Sequence, residues 1–388
     1  MSLIDEESVR TIRSQLPALD HAVYLNTGTA GPLPEEAADA LQDAFAAEVS
    51  HGRIGPTVWQ THRSLAAETR QEVADLLRTA PDRLALMHHT TDGLNAAGLG
   101  IPWGPGDALV TTDLEHAAVQ LVVGALRARY GIEVRIARLV DATSPSEAAE
   151  AVARQMNARV RAIFLSHVSY ASGFVLPLAE IAHLARRFEA LLVVDGAQSV
   201  GALEVHPGEL GADFYTVSGQ KWLCGPEGTG ALWVAPGQEE RLRPGAMGYA
   251  GVATVDAEGY YQPHPGARRL EVGTVFHPGL AGWTASLRWL SRIGWPQIWA
   301  RTYDLAEMLR TALGEIPSVT VLTPPEHAGL VSFRVANVAA EDAVRLLGSK
   351  GFLVRSIPGW DAIRVSCGFF LQEEEIERVA SEVAVLGR

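Results

Sequence analysis

The sequence predicts an α/β protein in three layers, a mostly parallel β-sheet between two layers of helices, followed by a smaller C-terminal α/β domain. Three observations carry this. Short apolar runs alternate with amphipathic stretches, the pattern of strands and helices around a mostly parallel sheet. The run LLVV at 191–194 is apolar at every position, as expected of a strand covered on both faces. After about residue 244 the rhythm breaks, then resumes as helical patterns and an alternating strand.

Taken in order, strands are expected at 83–87, 107–111 and 132–139, the last with Ile132, Val134 and Ile136 alternating. Residues 160–168 (VRAIFLSHV) read as a strand and 178–189 as a helix with Ile181, Leu184, Ala185 and Phe188 on one face. With 191–194 they make a βαβ unit. The segments 214–218 (FYTVS) and 230–235 (GALWVA) flank GQKWLCGPEGT, whose Gly and Pro suit a tight reversal. The stretch 244–274, rich in Gly, Pro, Tyr and Arg, is expected to form long loops. Helical patterns follow at about 280–315, then an alternating segment at 328–336, a helix near 340–349 and a strand at 362–367. The expected domains are 20–284 and 285–388, with residues 1–19 packing on the second.

The chain has 388 residues, 32 Lys+Arg against 45 Asp+Glu, and a net charge of -13. No basic patch is visible, so nucleic acid is not an expected partner. No run approaches the roughly 18 apolar residues of a membrane span, and the acidic opening MSLIDEESVRTIRSQL does not resemble a signal peptide. Cys224 and Cys367 lie 143 positions apart and form no CxxC motif. Neither a disulfide framework nor a metal site is expected, and the expected compartment is the reducing cytoplasm.

Four features could carry chemistry. Asp195 closes an apolar strand in VVDGAQSVG; it can cap the next turn, or face the crevice where ligands of open parallel sheets sit. Lys221 follows a strand in TVSGQKWLCGPEGTG; it can be an ordinary surface lysine, or an enclosed amine whose pKa desolvation lowers. In MHHTTDGLNAAGLG, Thr90, Thr91 and Asp92 open a helix-like stretch, as a plain cap or as a phosphate seat. His116, after another strand in TTDLEHAAV, can be structural or catalytic. Their conjunction decides. Pyridoxal phosphate needs an amine for a Schiff base, an acid to keep the pyridine nitrogen protonated, and a phosphate anchor.

The chain resembles the fold-type I pyridoxal-phosphate enzymes of the class V aminotransferase family, which include cysteine desulfurases, cystine C–S lyases and isopenicillin N epimerase-like proteins. The likeness runs from LNTGTAGPLP to IRVSCGF, and its most specific part is DGAQS with the Lys of SGQKWLCGPEGTG 26 residues after the Asp. The resemblance implies a seven-stranded large domain of the pyridoxal-phosphate transferase type. It implies that Lys221 holds the cofactor and shuttles the substrate α-proton, that Asp195 pairs with the pyridine nitrogen, Gln198 with the ring oxygen, and that His116 stacks on the ring. Thr91, with amides near Thr90 and Asp92, would hold the phosphate together with Ser218 and Gln220. Where many desulfurases place a His, this chain has Gln220. Thr274 matches a threonine that reaches the phosphate of the partner subunit, so a homodimer with shared active sites is implied. Arg364 matches the arginine that grips the substrate carboxylate, a role suited to a guanidinium fork. Arg355 is a second candidate, for a distal carboxylate. Asn26, Thr27, Gly28 and Thr29 would lie beside the carboxylate.

The reaction is narrowed by what the loop SIPGWDAI lacks. Desulfurases carry a catalytic Cys before the C-terminal arginine, and here there is none. By strand alternation Cys367 faces away from Arg364 and Ser366. The leading expectation is a C–S lyase acting by β-elimination on cystine or a cysteine derivative, which needs no protein thiol. Aminotransfer and epimerase-like racemisation share the same residues and stay open, as does a non-catalytic binding or regulatory protein. The absence of GxGxxG between a strand and a helix counts against a nicotinamide enzyme. Trp360, Tyr260 and Tyr261 are candidates for the side-chain pocket.

Overall fold

The structure, a computed structural model, describes residues 4–387. Its centre is a seven-stranded sheet in the spatial order Leu84–Met87, Gly230–Val234, Phe214–Ser218, Leu191–Asp195, Val160–Ser166, Ala108–Thr112, Glu133–Ala137. Every pair from Phe214–Ser218 to Glu133–Ala137 is parallel; Gly230–Val234 runs antiparallel to both its neighbours. Continuous apolar composition is explained by burial: all five residues of Leu191–Asp195, of Phe214–Ser218 and of Gly230–Val234 are buried. The edge strand Glu133–Ala137 departs from the expected alternation. Ile132, just before it, is buried and Ile136 is 53% exposed, because an edge strand has a covering layer over only part of its length. Its Glu133 and Arg135 pair at 3.3 Å, charges of the kind that blunt a sheet edge.

A second sheet of four antiparallel strands, ordered Val319–Val321, Leu330–Val335, Ala362–Ser366, Arg355–Ile357, lies toward the C-terminus. The chain enters it through the helix Trp295–Gly314, after His277–Ile293 has packed on Glu35–His51 and Pro56–Leu76. Residue 285 therefore falls inside the helix His277–Ile293, and the helical path breaks at Gly294, φ 104°. At the other end, Arg13 of the helix Glu6–Arg13 forms a two-pronged ion pair with Glu375, 2.9 and 3.0 Å. Val23 and Tyr24 then pair in parallel with Phe352 and Leu353, and Asn26 bridges to Ser366. This pairing delivers residues 26–29 to the cleft between the two sheets.

The segment 244–274 is more regular than expected. Val252–Val255 and Tyr261–Pro263 pair as an antiparallel hairpin, and Gly266–Leu270 forms a 3₁₀ turn. Tyr260 and Tyr261 are exposed on the hairpin, and Trp360 packs against the small core cluster of Ala171, Ile357 and Ala362; none of the three lines the candidate cavity. Among the described residues no helix is long and apolar enough to cross a membrane.

Candidate active site

Thr112, Ser166, Asp195 and Ser218 are the last residues of four neighbouring parallel strands. Each strand turns away at that edge, which leaves a crevice beyond the carboxyl ends. A cavity of about 340 Å³ fills it. Its floor comes from Asp195, Ser218 and Lys221, and one wall from Gly28, Thr29 and Gln198. Thr90, Thr91, His116 and Gln220 complete the part nearest the large sheet, while Arg355 and Arg364 reach in from the small one. Residues spread over more than 330 positions of sequence are thus brought into one enclosure.

Four predicted site residues stand outside it, among them Thr27, which is buried with its hydroxyl unpartnered. Asn26 lies behind Thr29 and accepts from that hydroxyl at 2.8 Å and from Arg364 at 3.4 Å. Asp92 turns to a neighbouring cavity, and its carboxylate pairs with His88 at 2.8 Å. Its amide is capped by Nδ1 of His89, the residue that closes the helix start in place of the expected Thr cap. Thr274 is exposed, away from the cavity, and hydrogen-bonded to the Tyr249 hydroxyl.

Lys221 opens into the cavity but is walled by protein on all other sides. Burial lowers its pKa to about 8, with Arg364 and Arg355 adding to the effect and Asp195 opposing it. Asp195 is buried and accepts from the Ala197 amide at 3.0 Å and the Thr216 hydroxyl at 3.3 Å. Gln198 is held by a donor and an acceptor together: the Trp222 indole donates to Oε1 at 2.9 Å and Nε2 donates to the Gly28 carbonyl at 2.8 Å. Because indole N–H only donates, the amide orientation is fixed and its second N–H is free for a ligand acceptor. His116 caps the helix Ala117–Tyr130 through Nδ1, which accepts from the Ala118 amide at 3.1 Å. Burial, then Lys221, lowers its pKa, so it stands neutral with the proton on Nε2. The Ser218 hydroxyl donates to Gln220 Oε1 at 2.7 Å.

Arg364 is 1% exposed. It donates to the Tyr170 carbonyl at 3.1 Å and to Thr29 Oγ1 at 3.2 Å, while its Nε has no partner. Burial and Arg355 push its pKa down to about 9. Such a cation needs an anion to offset its desolvation.

Two residues of the site, His89 and Glu115, escaped the sequence reading, and the resemblance left a contact near the cofactor oxygen open between Ser169 and Tyr170. Tyr170 lines the cavity with its ring edge-on to His116, centroids 4.9 Å apart, whereas Ser169 spends its hydroxyl on the amides of Ala171 and Ser172. His89 lines it as the helix cap. Glu115 is fully buried beneath it, accepting from Thr112 Oγ1 at 2.6 Å, Ser166 Oγ at 2.6 Å and the Ser166 amide at 2.9 Å. Burial raises its pKa to about 7 despite these bonds, and Asp195 adds to the rise. The pattern EH in DLEHAAV carried a signal, an acid placed between a strand end and a cap, but only the strand register shows that it ties two strands together.

The enclosure fits pyridoxal phosphate. An enclosed amine of lowered pKa, a strand-end carboxylate and a helix start with two threonines are present together, and the orphaned Nε of Arg364 offers an anion site. Gly28 allows close approach, since a Cβ there would stand 3.0 Å from Gln198 Oε1. Both cysteines are free and buried; burial pushes the Cys224 thiol up to about 12 and raises that of Cys367 as well.

A family model described as aminotransferase class-V matches residues 23–379. Isopenicillin N epimerase of Streptomyces clavuligerus is 32% identical over 383 residues, 94% of each chain. A probable cysteine desulfurase of Methanothermobacter thermautotrophicus is 28% identical over 97% of this chain and 98% of its own. Among solved structures, the cystine C–S lyase C-DES with its product cysteine persulfide superposes with a TM-score of 0.91 at 30% identity, covering 95% of this chain and 99% of that one. A C-DES mutant with glycine covalently linked to its PLP cofactor also gives 0.91 at 30% identity, covering 96% and 98%.

Proposed function

The chain belongs to the class-V aminotransferase family and is a pyridoxal-phosphate enzyme of amino acids, and within that family we propose that it is a C–S lyase for cystine or a related cysteine derivative. One observation carries the choice: two guanidinium groups, Arg355 and Arg364, share Thr29 Oγ1 at 3.2 Å each inside a cavity that also holds Lys221. A substrate with a carboxylate at each end suits that pair. The C-DES lyase, whose solved complex holds cysteine persulfide, aligns along nearly all of this chain.

When bound, the cofactor supplies an aldehyde that captures the substrate amine and a ring that takes up the electron pair left as the Cα–H bond breaks. Lys221 would anchor it and, once free, take the α-proton at Nζ; an amine with a pKa near 8 is partly neutral at physiological pH. Asp195 presents its carboxyl group at the strand end, Gln198 offers its free N–H, and His116 presents a neutral ring. Thr90, Thr91, Ser218 and Gln220 would hold the phosphate with the helix-start amides, Asp92 only through its neighbours. Arg364 would hold the α-carboxylate and Arg355 the distal one, with Asn26, Gly28 and Thr29 shaping that end. Elimination expels sulfur from Cβ and needs no protein thiol, in keeping with two buried cysteines.

A homodimer with shared sites completes this reading. The helix Glu35–His51 buries only Ala37 and exposes Phe45 and Val49, and Val272 and Phe276 are exposed on either side of Thr274. A second copy covering that face would bring Thr274 toward the partner's phosphate. The reducing cytoplasm is the proposed compartment. The epimerase relative, at 32% identity, favours racemisation as the second reading. Incubation of holoenzyme with L-cystine tests the two: pyruvate, ammonia and a persulfide are expected, whereas D-product without keto acid, or amino transfer to a 2-oxo acid, overturns the lyase.

A further inference from the structure

The geometry points to a divalent transition-metal site, of the zinc class, built from Glu48, His62 and His277. No spacing in the chain hints at it, because its ligands lie on three helices far apart in sequence. Glu48 is on Glu35–His51, His62 on Pro56–Leu76, and His277 is the first residue of His277–Ile293. Their ligand atoms all lie within 4.8 Å of one another. Glu48 Oε1 stands 3.6 Å from His62 Nε2, too far for a hydrogen bond, with the side chains 17% and 19% exposed. Two imidazoles and a carboxylate are the donor set of three-ligand zinc sites, which leave a further position to water.

The rings now stack, centroids 3.6 Å apart and 8° from parallel. An ion must lie near the plane of each ring it binds, so stacked rings have to turn toward it. Zinc with Zn–N bonds of about 2.0–2.1 Å brings tetrahedral donors to roughly 3.3 Å from one another. The required closure from 4.8 Å or less is within reach of side-chain rotation, since all three residues are only half-buried.

The site would fasten the parts of Glu35–His51 and Pro56–Leu76 farthest from the buried core to His277–Ile293, the helix on which both already pack. Glu35–His51 buries one residue, and in Pro56–Leu76 every buried residue lies from Thr69 onward, seven positions after His62. A shared ion would join them to His277–Ile293, whose Trp283 is fully buried. It lies apart from the active-site cavity, which contains none of the three, so its fate does not depend on the reaction assigned above.

The test uses tag-free holoenzyme, freed of excess cofactor and treated with chelator. Equilibrium dialysis against Zn²⁺ with atomic emission is expected to give one ion per chain, together with a rise in melting temperature. Co²⁺ in its place should give visible d–d bands. His62→Ala and His277→Ala should each weaken binding by about tenfold or more, and Glu48→Gln, a near-isostere that leaves the packing intact, should weaken it and alter the Co²⁺ spectrum. Failure of the wild type to hold Zn²⁺ saturably, or full retention in Glu48→Gln and either His variant, overturns the site.

Discussion

Arg355 and Arg364 are direct partners across adjacent antiparallel strands, and both donate to the same hydroxyl, Thr29 Oγ1, at 3.2 Å. Like charges placed opposite one another weaken a sheet. The groups acting on Arg364 are burial, Arg355 and Tyr170, with no acid among them. The fold therefore carries an electrostatic cost that a substrate with two carboxylates would offset. Losing one charge-assisted hydrogen-bond pair costs about 1.5–3 kcal/mol, or roughly 10- to 100-fold. Arg355→Ala is expected to raise KM for cystine by that factor while changing KM for S-methylcysteine sulfoxide less than about threefold. Arg364→Ala should damage both. Steady-state kinetics on the two substrates checks this, and equal losses in Arg355→Ala would remove Arg355 from the distal carboxylate.

Lys221 sets how the apoenzyme takes up its cofactor. Only the neutral amine attacks an aldehyde, and burial lowers this lysine to about 8. Below that pH the neutral fraction falls about tenfold per unit. Stopped-flow absorbance after mixing apoenzyme with pyridoxal phosphate should show an uptake rate that climbs with pH and levels above about 8. Lys221→Ala should give no covalently bound cofactor at any pH.

The large sheet was readable because strands covered on both faces hold few charged residues: LLVV is apolar throughout and FYTVS adds only two small hydroxyls, and both are found within a residue of their expected ends. Lys221, Asp195, His116 and Gln198 were readable for a related reason, since strand ends in a parallel sheet share one edge. The hairpin Val252–Val255 with Tyr261–Pro263 was not. Its residues are mostly exposed, and an uncovered ribbon imposes no two-residue apolar period. Nor was the cavity boundary legible at Asp92, where a single residue step around the helix separates Thr91, which lines the crevice, from Asp92, which lines the next cavity. Glu115 was hidden by its type, for a glutamate next to a histidine reads as a side chain turned to water until the strand register encloses it.

The two cysteines give a sharp expectation. Cys224 is buried with its thiol pushed up to about 12, and it occupies a left-handed backbone position, φ 50°. Cys367 is fully buried too. A thiolate is the reactive form, so neither is equipped to carry sulfur. Cys224→Ala and Cys367→Ala should each keep pyruvate formation from cystine within about twofold, at some loss of stability from the cavity left behind. An abolished turnover in a folded variant would reopen the persulfide route.

Glu115 links the stability of the strand edge to pH. Its carboxyl bridges Thr112 and Ser166, ends of adjacent strands, and sits in the field of Asp195. Its pKa rises from an ordinary 4.5 to about 7 in the folded chain. The folded state then binds more protons than the unfolded state between those values, so this group's contribution is full below about 4.5 and is lost as pH rises through about 7. At about 1.4 kcal/mol per unit the span is roughly 3 kcal/mol. Glu115→Gln keeps the shape but cannot ionise, and its amide replaces an acceptor pair with one acceptor and one donor. Denaturant melts of the two proteins between pH 5 and 8 should therefore differ in slope, with the wild type falling relative to the variant as pH rises. The same substitution should move the pH midpoint of the visible cofactor band, because it removes a carboxylate that Asp195 feels. A parallel pair of melting curves with an unmoved midpoint would show that Glu115 is only a structural tie.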